Sequence, residues 1–221
     1  MKVKKSAKQI AYDYISDKII KGEYKANQKI NDLEISKELG ISKTPIREAI
    51  QLLEMENFLI TMPKVGTIVT EIKIDDIFQL FEPLALIQGH ACRSVCLIAK
   101  EEDIEKLYDL SYKILDAVEN NDYNRIIELD EEFHDFILDL GNNPYIKKIS
   151  NELLMQIKRI EYLFLDSTLI NAKTYEIHLD ITKAIEKKDQ DLAEALMKEN
   201  WLNSISGIDV SLLGKIINTL K

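Results

Sequence analysis

The chain of 221 residues has little of what disulfide-rich, membrane-spanning or turn-rich proteins contain: two cysteines, four prolines and seven glycines. Cys92 and Cys96 lie four positions apart in a predicted helix, where a strain-free disulfide is disfavoured, so we expect both thiols to be reduced and buried. No apolar run approaches the ~18 residues that a membrane span needs, and the lysine-rich start does not lead into a signal-peptide core. We therefore expect a cytoplasmic protein with no membrane partner.

Common catalytic motifs are also missing. The sequence contains no glycine-rich loop that would hold a phosphate and no motif around a serine or cysteine nucleophile. Its composition, 46% hydrophobic and 30% charged residues, is ordinary for a globular protein of one or two domains. An enzyme is not the favoured interpretation.

The net charge of −9 is unevenly distributed. Residues 1–70 hold twelve Lys and Arg against nine Asp and Glu, a net charge of +3, whereas the remainder holds seventeen against twenty-nine, a net charge of −12. A basic amino-terminal part suits a phosphate backbone, and an acidic remainder would stay off DNA. Nucleic-acid binding is therefore expected only in the first third of the chain.

Residues 31–57 have the pattern of a helix-turn-helix. A tight turn at 39–41 separates two short helices, and the second can begin with Ser42 or Thr44 as its cap and Pro45 in its first turn. A preceding helix over 7–21 would complete a three-helix core.

On the second of these helices, Ile46, Ile50 and Leu53 recur at the spacing of an inward face. The outward side then carries residue types that contact DNA bases and phosphates, namely Lys43, Thr44, Arg47 and Gln51.

Two β-rich runs follow, at 58–62 and 67–70, and they flank a short turn in which Gly66 can adopt positive φ. Such a hairpin is a wing. We place the first domain at 1–72 and the second at 73–221.

The second domain has no convincing strand pattern. Helices are predicted at 74–99, 102–120, 123–140, 144–166, 170–187 and 189–205, with a last one near 209–220. The predicted fold class is mainly α: an N-terminal winged helix-turn-helix, formed by three helices and a β-hairpin wing, followed by an all-α antiparallel helical bundle.

The run ISKTPIREAIQLLEMENFLI followed by PKVGTIV closely resembles the winged-helix domain of GntR-family transcription regulators. The resemblance implies a transcription regulator, in the family's common case a repressor, that binds double-stranded DNA. It also implies that Lys64 and Gly66 at the wing tip contact DNA beside the four helix residues. Since one helix-turn-helix module buries little surface, we expect a homodimer on a palindromic operator.

Asp130 and His134 lie one helical turn apart on the same face of a predicted helix. Such a pair can share a divalent metal, or it can be a simple surface Asp–His pair. The spacing alone leaves both interpretations open.

The run LDEEFHDFILDLGNNPYI, which contains that pair, and the later Glu176-Ile177-His178 resemble the FCD branch of the GntR family. In this branch an all-helical effector domain often binds a metal through one Asp and three His. The resemblance implies that Asp130, His134 and His178 hold a divalent ion, zinc or similar. Asn200 stands where the family's third His is usual, and with its amide oxygen as a further donor the set could still hold a metal.

A second departure lies at Leu84, where the family usually has an Arg that clamps a carboxylate, and at Gln88, where Glu is common. The resemblance implies a small-molecule effector, an organic acid or related metabolite, and we assign Arg159, Gln88 and Tyr162 to its binding. Two alternatives remain: a helical domain that is only a dimerisation scaffold with a decayed ligand site, and, remotely, a metal-dependent hydrolase.

Overall fold

The structure is a computed structural model that describes residues 5–163 and 173–206. These residues form two compact units. The first contains residues 5–77 together with Met155–Leu163, and the second contains 78–154 and 173–206. The first unit is built around a helix-turn-helix, and the second is helical.

Three helices open the first unit: α1 (Ala7–Ile20), α2 (Asp32–Leu39) and α3 (Lys43–Met55). The side chain of Asn31 caps α2 by accepting a hydrogen bond from the backbone of that helix's first turn. Gly40 ends α2 in the left-handed conformation, with φ of 65°, which glycine adopts without strain. The predicted turn therefore lies where the sequence pattern places it.

The predicted inward face of α3 is confirmed. Ile46, Ala49, Ile50 and Leu53 are buried, and α3 packs against α1. Ser42 precedes α3 in an extended conformation but makes no side-chain capping hydrogen bond. The register of this helix therefore depends on packing rather than on a cap.

The wing consists of two antiparallel strands, β1 (Leu59–Met62) and β2 (Gly66–Val69). Positive φ occurs at two positions of its tip, 66° at Lys64 and 100° at Gly66, as predicted for the glycine. The segment before α2 also pairs with the wing, since the Ile30 amide donates to the Thr67 carbonyl at 2.9 Å. This pairing fixes β2 against the start of α2.

Six helices follow. They are α4 (Ile74–Val95), α5 (Glu101–Glu119), α6 (Tyr123–Leu140), α7 (Pro144–Leu163), α8 (Lys173–Glu186) and α9 (Gln190–Ser206). Within the second unit α5 packs against α6 and α8, and α8 packs against α9. The mainly helical class is confirmed, whereas the predicted helix near 209–220 and the stretch 164–172 lie outside the described residues.

Helix α7 contributes to both units, because its first turns belong to the second and its last turns, from Met155, belong to the first. In the first unit, the Gln156 side-chain amide donates to the Glu56 carbonyl at 2.6 Å. Met155 and Tyr162 pack against the buried core of α1, α2 and α3. The first unit is thus completed by residues distant in sequence.

Cys92 and Cys96 are free and buried, as predicted. Burial raises the pKa of the Cys92 thiol well above its ordinary value and that of Cys96 to about 11. Both are therefore protonated near neutral pH. No helix in the described part of the chain has the length and apolarity needed to cross a membrane.

The core of α3 supplies a test of the fold. Leu53→Ala removes a side chain with no exposed surface and should lower the free energy of unfolding of the first unit by about 2–5 kcal/mol. Met55→Ala, two residues away at 79% exposure, is the matched control and should cost less than about 0.5 kcal/mol. Thermal melts of both variants check this, and equal losses would contradict the assigned face.

Candidate DNA-binding face and candidate metal centre

The predicted DNA-contacting residues of α3 lie on the surface of the first unit. Lys43, Thr44, Arg47 and Gln51 are all exposed, because the opposite face of the helix is buried. At the wing tip Lys64 is exposed and Gly66 is half-buried. A shallow groove beside α3 is lined by Lys29, Ile30, Asn31, Asp32, Arg47, Ile50, Gln51 and Thr67.

Arg47 has one side-chain partner in this groove. Its Nε donates to Oδ2 of Asp32, the first residue of α2, at 2.7 Å. The Arg47 side chain keeps 66% of its surface exposed, whereas that of Asp32 keeps 26%. The guanidinium is therefore held at one edge while the rest of it faces solvent.

In the second unit, α6 and α8 bring together three potential metal ligands. Asp130 and His134 come from α6 and His178 from α8, and one ligand atom of each lies within 4.8 Å of the others. His178 Nε2 is 3.0 Å from Asp130 Oδ1, and His134 Nε2 is 3.7 Å from Asp130 Oδ2. The fold thus brings His178 next to residues more than forty positions earlier in the chain. From the sequence alone, this proximity is implied only by the resemblance to the family.

The protonation of His134 follows from its neighbours. The indole Nε1 of Trp201, which can only donate, is 3.1 Å from Oε1 of Gln88, so the oxygen of this amide faces the site. His134 Nδ1 lies 2.8 Å from the same oxygen and must therefore carry the proton. In the neutral ring Nε2 then carries the lone pair, on the side where Asn200 Nδ2 and Asp130 Oδ2 lie, and this is the form that a metal requires.

The charges of the cluster fit the same interpretation. Burial lowers the pKa of His134 to about 4, against the attraction of Asp130, so the imidazole is neutral near pH 7. Burial acts to raise the pKa of Asp130, but the two imidazoles, with a hydrogen bond from His178, hold it below its ordinary value. One carboxylate, the neutral imidazole of His134 and the imidazole of His178 are a donor set for a divalent cation.

Asn200 lies beside the cluster, on α9. Its Nδ2 is 3.2 Å from His134 Nε2, and among the described residues its buried Oδ1 has no hydrogen-bond partner. A buried amide oxygen without a partner is costly, and a bound cation would satisfy it. The residues present therefore fit a divalent metal held by two nitrogen and two oxygen donors.

Close packing of α4 on α9 places Gln88 and Asn200 at the cluster. A Cβ atom added to Gly89 would lie 2.8 Å from Cγ of Lys198 and 3.2 Å from the Glu194 carbonyl oxygen. Glycine at this position therefore allows α4 and α9 to approach each other.

Apolar and aromatic side chains of α4 and α9 are also buried in this unit. Leu84 is fully buried, and the rings of Trp201 and His134 lie 4.5 Å apart. The amide nitrogen Nε2 of Gln88 is buried without a hydrogen-bond partner among the described residues. The site thus offers an uncharged donor in the region where the family usually presents charged side chains.

Arg159 and Tyr162, predicted to bind an effector, are not part of this cluster. They lie in the last turns of α7, in the first unit, where Arg159 Nη2 donates to the Thr70 carbonyl at 2.5 Å and Nη1 to the Thr70 hydroxyl at 3.1 Å. Burial lowers the pKa of Arg159 to about 10. Their described contacts complete the winged-helix unit.

Comparison with known proteins assigns both units. Residues 7–69 match the family model described as bacterial regulatory proteins, gntR family, and residues 79–202 match that of the FCD domain. The chain belongs to the GntR family. GntR regulators bind DNA, and the FCD match covers the helices that carry the cluster.

Similar proteins include the Nta operon transcriptional regulator of Aminobacter aminovorans, 27% identical over 79% of this chain and 81% of that protein. The transcriptional repressor RspR of Escherichia coli is 23% identical over 77% of this chain and 75% of its own length. Both relatives are transcription regulators and not enzymes, so the hydrolase interpretation has no support among them.

Solved structures share the fold. E. coli McbR/YncC superposes with a TM-score of 0.76 over 99% of this chain and 100% of its own, at 18% identity. A putative GntR regulator from Rhodococcus sp. RHA1 reaches 0.69 over 92% and 100%, at 16% identity. Both likenesses confirm the winged helix followed by a helical domain.

Sequence reasoning missed two contacts in this GntR chain. Asp32 was not singled out, because its partner Arg47 is fifteen residues away and no periodicity joins them. The bond from Trp201 to Gln88 was missed as well, since α4 and α9 lie far apart in sequence. An aromatic donor near a glutamine has no sequence signal of its own.

The role of Gln88 is testable by nitrogen NMR. In chelator-treated protein, His134 should be the Nδ1–H tautomer, visible as a pyridine-like shift at Nε2. Gln88→Leu should lose this preference and destabilise the second unit by about 1–3 kcal/mol, because two buried donors lose their acceptor. Gln79→Leu, at an exposed position of the same helix, is the matched control. An Nε2–H tautomer in the unsubstituted protein would contradict the assignment.

Proposed function

We propose that this chain is an operator-binding transcription regulator, in the family's common mode a repressor, controlled by a small metabolite that binds through a divalent metal in the second unit. The observation that carries the regulatory part is the cluster of Asp130, His134 and His178, in which both imidazoles are buried. Its charges and protonation suit a cation, and a purely structural helical bundle has no need of them. The regulator would act on cytoplasmic DNA.

The DNA-binding part rests on the exposed face of α3. Lys43, Thr44, Arg47 and Gln51 present donors and acceptors to a major groove, and Arg47 can contact guanine through two N–H groups. Lys64 and Gly66 at the wing tip would approach the adjacent minor groove and backbone. Two copies of this face, in a homodimer, would read a palindrome with half-sites about one helical turn apart.

The metal would be held by Asp130, His134 and His178, with Asn200 turning its Oδ1 to the ion. Replacing the family's third imidazole with an amide changes the donor set from three nitrogens and one oxygen to two of each. Such a set favours zinc less and accepts harder ions such as Mn²⁺ more readily. The bound ion supplies a positive charge that can take a carboxylate oxygen of the effector.

On the side of α4 and α9, the effector would meet no charged clamp. Gln88 Nε2 offers one donor to an oxygen of the ligand, while Leu84 removes the charged clamp that the family usually has. This favours an organic acid whose single carboxylate is held by the metal, with an apolar or hydroxyl-bearing remainder. The assignments of Arg159 and Tyr162 to effector binding remain predictions, since their described contacts lie in the winged-helix unit.

The effector would change operator affinity only through a difference in its own affinity for two conformations of the dimer. The other interpretation, a helical domain that serves only as a dimerisation scaffold, differs in one measurable property. That property is metal binding, because a helical domain that serves only as a scaffold does not need a bound ion.

DNA reading can be tested with variants of one residue type. Selection from a random double-stranded DNA pool should give a palindromic sequence, and Arg47→Ala should lose about 1–3 kcal/mol of discrimination at one base position of each half-site. Arg125→Ala, an exposed arginine of α6, should leave the selected sequence unchanged. If Arg47→Ala weakens binding equally on all sequences, Arg47 contacts phosphate instead.

Metal binding can be tested by elemental analysis of untagged protein and by thermal melts with and without a strong chelator. We expect near-stoichiometric metal and a fall in Tm on chelation, since an ion at 100 times its Kd stabilises the folded state by about 2.7 kcal/mol. Asp130→Ala should abolish both effects, and Asp139→Ala, an exposed acid on the same helix, should keep them. Absence of metal after addition of Zn²⁺ and Mn²⁺ would favour the scaffold.

A further inference from the structure

Asp32 is an acidic residue in the groove beside the surface that is proposed to contact DNA. Asp32 begins α2 and accepts a hydrogen bond from Arg47 Nε at 2.7 Å, which joins the two helices of the helix-turn-helix. A phosphate backbone repels a nearby carboxylate, so Asp32 should weaken the affinity for DNA and not strengthen it. Its contact with Arg47 gives it another purpose.

The bond uses only one edge of the guanidinium. An arginine carries five N–H donors, and the pair to guanine needs two of them. Among the described residues Nη1 and Nη2 of Arg47 have no partner, and two-thirds of the side chain is exposed. Asp32 therefore fixes the plane and direction of the group while leaving its outer edge available.

Asp32 is itself well fixed. It stands immediately after Asn31, whose Oδ1 accepts from the Leu33 amide at 3.0 Å and whose Nδ2 donates to Glu34 at 2.9 Å. The amino-terminal end of α2 also favours a negative charge. Exposed ion pairs contribute little to folding, so the value of this one lies in the direction that it gives to Arg47.

We propose that Asp32 is a positioning residue for DNA reading, which holds the Arg47 guanidinium in the orientation that recognises one base and thereby trades general affinity for specificity. This inference rests on the proposed role of Arg47. It predicts that base discrimination and affinity for unrelated DNA change in opposite directions when Asp32 is lost. Loss of Asp32 lowers discrimination at the base read by Arg47, and it raises affinity for unrelated DNA because a negative charge has gone.

The test uses full-length protein and selection from a random double-stranded DNA pool, followed by binding to the selected sequence, to its single-base variants and to an unrelated duplex. Asp32→Ala should relax the preference at the position that Arg47→Ala relaxes, by roughly 5-fold or more. Asp32→Asn loses the same charge but keeps an acceptor oxygen, so it should retain most of the preference. Both should bind the unrelated duplex more tightly than the unsubstituted protein does.

Asp17→Ala is the matched control, because it removes one exposed carboxylate of the same unit, paired with Lys21, and leaves Arg47 untouched. It should alter no base preference. If the melt shows that Asp32→Ala does not fold, Asp32→Asn is compared with Arg47→Ala. A base preference in Asp32→Asn that is as relaxed as in Arg47→Ala, or more relaxed, would overturn the inference.

The remaining outcomes separate the inference from the assignment beneath it. If Arg47→Ala relaxes one position and Asp32→Ala relaxes none, or sharpens it, Asp32 does not position Arg47 and the inference fails alone. A sharpened preference would mean that Asp32 holds Arg47 away from DNA. If Arg47→Ala weakens all sequences equally, base reading by Arg47 fails first and the inference fails with it.

Discussion

Burial of one face of α3 is the constraint on which the proposed DNA-binding surface depends. Ile46, Ala49, Ile50 and Leu53 go into the core against α1, and a helix with one side buried has no freedom to rotate. The exposed side is therefore determined by the apolar pattern and not by any attraction to DNA. The exposed side carries Lys43, Thr44, Arg47 and Gln51, because the four apolar residues occupy the buried side.

The second unit obeys a different constraint, the need of buried polar groups for partners. The Gln88 oxygen serves two donors, and by doing so it selects the tautomer of His134. A glutamate at this position would bring a second buried negative charge close to Asp130. The amide keeps the hydrogen bonds without that charge. One turn earlier on the same helix, position 84 is a leucine, where an arginine would have needed an anion. The two departures from the family are therefore electrostatically consistent with each other.

Much of this fold could be predicted from sequence because its signals are local. Helix boundaries follow from caps, from Gly40 and from apolar periodicity, and the wing follows from two β-rich runs around a glycine. The pairing of Asp130 with His134 is also local, since one turn of helix joins them. What could not be derived is contact between distant elements. The approach of α8 to α6, which adds His178, was reached only through resemblance, and Asp32 beside Arg47 was not reached at all.

The same limit explains Arg159. An arginine is the residue type expected for anion binding, which is why the sequence suggests a role for Arg159 in effector binding, and that role remains a prediction. Its guanidinium donates to Thr70, just after the wing. A contact between residues eighty-nine positions apart leaves no trace in the pattern of either segment.

The double membership of α7 has a consequence for how the chain can be divided. A fragment that ends at residue 72 has the whole helix-turn-helix and wing, but it lacks Met155, Gln156, Arg159 and Tyr162. Its apolar core would then be uncovered on the side where Met155 and Tyr162 pack, and the Glu56 and Thr70 carbonyls would each lose a donor. The boundary that sequence composition suggests is therefore not a boundary of packing. Cutting the chain at that point would yield a winged-helix fragment with an exposed apolar surface. Such a fragment would be prone to self-association for reasons unrelated to operator recognition.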